Sequence, residues 1–233
     1  TVQNTLGVQA VHPVPAELVG EQMQAVMEDL RPDAIKIGMT GNVEIISEIA
    51  RLLHQYSPRQ VVLDPVMVST SGHNLMTDEA VEAICTLLLP EVSLVTPNLH
   101  EAAVLLQQPI HTVDDMEHAA HLVYEKYHCA CLVKGGHLTG NEMCDVLYDG
   151  HELHLFGARR IHSGNLHGTG CTLSSAIATF LAQGFPLYEA VELAKTYITK
   201  AIEAGKDLHI GQGNGPLCHF PYLVNPVNPL TEE

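Results

Sequence analysis

Basic residues are scarce in this chain: 11 Lys and Arg stand against 27 Asp and Glu, a formal net charge of −16 with histidine neutral. A field of that sign repels phosphate backbones unless a local basic patch offsets it. The densest basic point is the Arg159-Arg160 pair, so nucleic acid is not an expected partner. Paired cysteines are also missing. Cys85, Cys129, Cys131, Cys144, Cys171 and Cys218 are scattered with no C-x-x-C among them, which argues against a disulfide framework and a zinc site and for reduced thiols. Among 15 histidines, His118/His121 and His151/His154 sit three apart without a matching Cys or carboxylate pattern, so no metal cage is expected from them. The opening Thr1-Val2-Gln3-Asn4 has neither the basic nor the apolar stretch of a secretory signal. The longest segment without a charged residue, 161–188, is interrupted by glycines, hydroxyls and histidines, unlike a membrane span. The expectation is a soluble, cytoplasmic protein with no membrane partner.

What the chain does have is core-forming material, with 46% hydrophobic and 16% charged residues, and no repeat or linker that divides it. We read one domain over 1–222 and a frayed tail over 223–233. Short apolar runs alternate with amphipathic stretches, the pattern of βα units around a mostly parallel sheet. Strands are expected at 34–37, 61–63, 93–95 and 130–133, and helices at 18–30, 43–56, 78–89, from about 101, 113–127, 168–183 and 187–204. Asp149-Gly150 marks a hairpin between 144–148 and 152–156.

In such sheets ligands bind beyond the carboxyl ends of the strands. Four strands release polar or glycine-rich segments there: Gly38-Met39, Asp64-Pro65-Val66-Met67, Thr96-Pro97-Asn98 with Glu101, and Lys134-Gly135-Gly136-His137. The sharpest feature is His167-Gly168-Thr169-Gly170-Cys171-Thr172, which runs into an amphipathic helix. Backbone N–H groups and the helix dipole favour an anion there, and the same place lowers a cysteine pKa. Cys171 is thus either a proton acceptor or a small buried thiol. The run is neither a Walker A loop nor G-x-G-x-x-G. Asp64 either meets a metal-bound phosphate or caps a turn; Asn98 and Glu101 either hold a hydrated Mg²⁺ or cap a helix. Lys134 either neutralises a phosphoryl group or is an ordinary strand-end charge. Taken together these parts describe phosphoryl transfer.

The ordered set Gln3-Asn4-Thr5, Lys36-Ile37-Gly38-Met39, Asp64-Pro65-Val66-Met67, Thr96-Pro97-Asn98-x-x-Glu101, Val133-Lys134-Gly135-Gly136-His137, His167-Gly168-Thr169-Gly170-Cys171 and Gly213-Asn214-Gly215-Pro216 resembles the hydroxymethylpyrimidine/phosphomethylpyrimidine kinases of the ribokinase superfamily. The resemblance implies a ribokinase-like three-layer α/β/α sandwich that uses ATP and Mg²⁺. The implied reaction phosphorylates 4-amino-5-hydroxymethyl-2-methylpyrimidine and then its monophosphate in thiamine biosynthesis. It implies that Gly168, Gly170 and the helix start hold the transferring phosphoryl and that Cys171 is the base. Lys134, with Thr169 and Asn98, would face ATP. Asp64 and Glu101 would organise Mg²⁺, and Gln3, Met39 and Val66 would face the pyrimidine. A homodimer is implied as well. The family's opening strand and Gly-Ser-Asp segment do not precede Thr1, Leu166 replaces a threonine, and Cys218 replaces a histidine. Pyridoxal kinase of the same fold, or a non-catalytic relative lacking the first βα unit, are the alternatives.

Overall fold

The computed structural model describes residues 1–67, 76–136 and 142–222; the tail at 223–233 and His137 lie outside them. The chain opens with a hairpin of β1 (Val2–Asn4) and β2 (Gly7–Ala10), followed by α1 (Ala16–Asp29). Alternation then begins: β3 (Ile35–Ile37), α2 (Val43–Tyr56), β4 (Val61–Leu63), α3 (Asp78–Ala83), β5 (Leu94–Val95), α4 (Leu99–Leu106), α5 (Val113–Tyr127) and β6 (Ala130–Val133). An antiparallel pair, β7 (Glu142–Tyr148) and β8 (Leu153–Arg159), precedes α6 (Thr169–Ala182) and α7 (Leu187–Gly205).

The main sheet has six strands in the order β3-β4-β5-β6-β7-β8. The first four are parallel and the last two antiparallel. Side chains alternate between its faces as strand geometry requires. Val61, Leu63, Val95, Cys131, Val133 and Val146 join one core with α2, α3, α4 and α5. Val62, Leu94, Leu132 and Leu147 join another with α6 and α7. Helices on both faces explain why the parallel strands read as unbroken apolar runs, and they make the expected three-layer sandwich. Among the described residues no helix is long and apolar enough to cross a membrane.

Two local expectations need correction. The single helix expected over 78–89 is divided: α3 passes into a wide π turn at Ile84–Leu88 and a 3₁₀ turn at Leu89–Glu91. Pro90 supplies no N–H to an α-helical ladder, which is consistent with the tightened end. The β1–β2 hairpin has little sequence signal: its strands are short and mostly exposed, and its Thr5-Leu6 turn carries none of the usual glycine or asparagine signal.

Candidate active site

Asp64 leaves the end of β4, between β3 and β5: its N–H donates to Ile37 O (2.9 Å), and the Thr96 N–H donates to Leu63 O (2.9 Å). Its carboxylate is buried. Oδ1 accepts Lys134 Nζ at 2.8 Å and Thr96 Oγ1 at 3.3 Å, and Oδ2 accepts Ser174 Oγ at 3.5 Å. Lys134 is fixed at its root by an N–H bond to Pro97 O (2.8 Å). Burial works to lower the Lys134 pKa, but the Asp64 and Glu101 carboxylates outweigh it and raise it, so the ammonium stays charged. A buried ion pair is weak evidence for stability, since removing two ions from water costs about what their attraction returns. The pair stands instead at the carboxyl ends of the parallel strands β4 and β6, the edge at which such sheets bind ligands.

The start of α6 closes over this pair. Gly168 is its N-cap with φ +86°, a conformation glycine adopts without strain. A Cβ built on Gly170 would lie 3.4 Å from Lys134 Nζ and 3.6 Å from Asp64 Oδ2, which places the first turn directly on the strand-end charges. The first helical bond runs from the Thr172 N–H to Gly168 O (2.9 Å). Among the described residues no backbone acceptor takes the N–H of Gly170 or Cys171, the open donors a helix start offers an anion. Cys171 lies on this turn and is exposed. Its pKa departs from the expectation for a helix start: partial burial of the thiol raises it, and the charge and hydrogen bond of Asp64 add to this against Lys36 and Lys134, which lower it. Burial and the Asp64 charge thus favour the thiol form of Cys171 over the thiolate. Thr169 turns back on its own loop, both N–H and hydroxyl donating to Leu166 O (3.2 and 2.7 Å).

Asn98 and Glu101 form a complete capping box at α4. Asn98 Oδ1 accepts the Glu101 N–H at 2.9 Å and Glu101 Oε2 accepts the Asn98 N–H at 2.8 Å. Glu101 is buried, and that burial raises its pKa although Lys134 and the Asn98 backbone lower it. Its carboxylate thus caps the helix and also feels the Lys134 charge. Among the described residues no group of three or more His, Cys, Asp or Glu could hold a metal; Asp64 and Glu101 are two oxygen donors and make no cage.

The residues expected on the pyrimidine are more dispersed. Gln3 is exposed on β1 and reaches His167, Nε2 to Nε2 at 3.4 Å, just ahead of the glycine turn. Its hairpin is anchored by Thr5, whose Oγ1 accepts the N–H groups of Gln212 and Gly213 (3.2 Å each) and whose carbonyl accepts the Asn214 N–H (2.9 Å). Any side chain at Gly213 would collide with the Thr5 carbonyl. Val66 closes a turn onto Asp64 O (2.8 Å). Met39 is partly exposed and lines a groove of 660 Å³ with Thr1, Lys36 and Gly38, along the outer edge of β3. Three further neighbours complete the charged centre, none with a role assigned from the sequence: Thr96 and Ser174, which bond Asp64, and Lys36, whose charge acts on Cys171. Lys36 shares the sheet register of Val62 and Leu94, where an apolar residue fits the α6 face. A lysine amid β-branched residues is the signal that could have identified it.

An α/β sandwich whose strand ends carry a buried Lys–Asp pair beneath a glycine-rich helix start has the architecture of a small-molecule phosphotransferase. The phosphomethylpyrimidine kinase family model matches residues 1–218, and the chain belongs to that family. It is 49% identical over 221 residues to the hydroxymethylpyrimidine/phosphomethylpyrimidine kinase of Rhizobium meliloti, covering 94% of this chain and 83% of that protein. The solved phosphomethylpyrimidine kinase of Clostridium difficile is 40% identical with a TM-score of 0.76, covering 86% of this chain and 82% of that one. The pyridoxal kinase of Staphylococcus aureus, solved with AMP-PCP and pyridoxal, is 30% identical with a TM-score of 0.86, covering 96% and 80%. The fold is ribokinase-like, as expected.

Proposed function

We propose that the chain transfers the γ-phosphoryl group of ATP to the hydroxymethyl oxygen of 4-amino-5-hydroxymethyl-2-methylpyrimidine, and then a second phosphoryl to the resulting monophosphate. The observation that carries this reading is the α6 N-terminus seated on the Asp64–Lys134 pair with Cys171 on its first turn. Family membership supplies the reaction type, and the AMP-PCP-bound relative supports ATP as donor.

Each residue then has a chemical task. The substrate hydroxyl oxygen attacks the γ-phosphorus while its bond to the β,γ-bridging oxygen breaks and ADP leaves. The hydroxyl proton passes to Cys171 Sγ acting as general base. Charge spread over the equatorial phosphoryl oxygens is met by the open Gly170 and Cys171 N–H groups and by Lys134, donors that are fixed before the reaction begins. Asp64 and Glu101 keep Lys134 cationic. They are also the oxygen donors that would hold Mg²⁺; the ion would supply further neutralisation of phosphate charge. Gln3 would pair with an aminopyrimidine, since an amide can both donate and accept.

Backbone similarity to pyridoxal kinase, TM-score 0.86, supports a second reading with pyridoxal as acceptor. Sequence identity favours the pyrimidine, at 49% and 40% against 30%, because acceptor choice rests on side chains rather than backbone. Acceptor-dependent ADP release should show kcat/KM at least tenfold higher for the pyrimidine alcohol than for pyridoxal, a factor that one hydrogen bond to a charged or well-placed polar group supplies at about 1.4 kcal/mol. Equal or reversed values would overturn the substrate assignment.

A further inference from the structure

A second buried ion pair lies behind the site, on the α7 face of the sheet. Asp145 is on β7, two residues before Leu147 and therefore on the same face, and it is 7% exposed. Its Oδ2 accepts Lys195 Nζ of α7 at 2.5 Å, and its Oδ1 accepts the backbone N–H of Gly135 at 2.8 Å. Gly135 directly follows Lys134 in the chain. The peptide carrying Lys134 is thus held from two sides: its own N–H by Pro97 O and the next N–H by Asp145. A third bond, Arg160 Nη1 to Gly136 O at 3.2 Å, fixes the following residue.

A buried pair gives little net stability, and an apolar pair of similar volume often serves a fold as well. Packing does not call for an aspartate in a strand position shared with Leu147. A carboxylate with one oxygen neutralised by Lys195 and the other on Gly135 is, however, well suited to holding a backbone turn in one geometry. We propose that Asp145, balanced by Lys195, is a positioning residue for phosphoryl transfer: it fixes the Lys134–Gly135 peptide so that the Lys134 ammonium is presented to the donor phosphates. The inference rests on Lys134 being the phosphate-facing cation. It extends the working site from the strand ends to α7, through a residue that touches no substrate.

The test compares two double variants that remove the charge pair as a unit, so neither leaves an unpaired buried ion. Asp145→Asn with Lys195→Met keeps an oxygen for the Gly135 N–H, whereas Asp145→Ala with Lys195→Met does not. With both proteins folded by thermal melt, the alanine pair should lose roughly 10–100-fold in kcat/KM for ATP, the scale of a small misplacement of a reacting group, and weaken ADP binding by calorimetry. Its KM for the pyrimidine should stay within about twofold of the parent, and the asparagine pair should recover most of the ATP-side loss. Equal ATP kinetics and ADP affinity in the two variants would overturn the positioning role. A uniform loss of active protein, with both KM values unchanged, would do the same. If the alanine pair does not fold, Asp145→Glu replaces it: the charge stays, the carboxylate moves by one methylene, and a variant with parental ATP kinetics overturns the proposal. Lys134→Met separates this inference from the reading beneath it. If Lys134→Met is fully active, both fall; if it is impaired while the two Asp145 variants match, only the positioning role falls.

Discussion

The two halves of the candidate site are built differently. On the phosphate side, Asp64, Lys134, Ser174 and Gly170 come from strand ends and a helix start and are joined by buried and partly buried bonds. On the acceptor side, Gln3 lies on an exposed two-stranded hairpin and Met39 lines an open groove. Phosphoryl transfer needs donors aimed before the reaction, because reorienting them during it would raise the barrier; rigid elements supply that. In the proposed reading the ring that must enter and leave is met by the looser half, where each polar contact contributes little by itself.

That contrast predicts unequal losses. Cys171→Ala should be the most damaging, lowering turnover by about 10²–10⁴-fold, the usual contribution of a positioned base, with ADP affinity almost unchanged. Because burial and Asp64 hold the thiol above its ordinary range, the reactive thiolate is a minor form near neutrality. Log kcat should therefore climb with pH from 7 towards 9 in the parent and be flat in the alanine variant. A steep pH rise that survives in Cys171→Ala would assign the base elsewhere.

Lys134→Met comes next, with a loss of roughly 10²–10³-fold in kcat/KM, comparable to deleting one preorganised donor to a developing charge. It should also destabilise the fold by about 3–5 kcal/mol, since Asp64 would be left buried without its cation. A variant that melts like the parent would show that the pair is solvated and would dissolve the contrast between the halves.

The same contrast explains what the sequence could reveal. Asp64, Lys134 and the Gly168–Cys171 turn were legible because each directly follows an apolar strand or starts an amphipathic helix, where backbone geometry fixes the residue types allowed. The alternation that sends Val62 to one core and Val61 and Leu63 to the other was equally readable. The spacing of Asn98 and Glu101 fitted both a cap and a metal site, and the structure uses it as a cap. The rise in the Cys171 pKa was not readable, because it depends on burial and on Asp64, more than a hundred residues away in sequence. Asp145 stayed hidden for the same reason: its partners, Gly135 and Lys195, meet it only through the sheet and α7.

Gln3→Ala tests the looser half. One neutral hydrogen bond is worth about 0.5–1.5 kcal/mol, so KM for the pyrimidine should rise roughly three- to tenfold, with ATP kinetics unchanged. A larger loss, or one shared with ATP, would mean that the hairpin holds the phosphate turn through His167 as well as facing the acceptor.

The smallest effect is expected at Glu101, where stability and chemistry can be separated. Burial raises its pKa, so the folded protein disfavours the carboxylate relative to the unfolded chain. Protonation then favours folding: the penalty is absent at pH values below the unfolded pKa, about 4.3, develops as pH rises through the folded value, and is complete above it. Glu101→Gln keeps an oxygen for the Asn98 N–H and so preserves the capping box while removing the buried charge. Its melting temperature should equal or slightly exceed that of the parent at pH 8, with the difference shrinking towards pH 4. At the same time, weaker oxygen donation should raise the Mg²⁺ concentration needed for half-maximal activity by about tenfold or less, one ligand interaction among several. An unchanged Mg²⁺ titration with the same melting behaviour would leave Glu101 as a cap only, and the metal-facing part of the phosphate side would rest on Asp64.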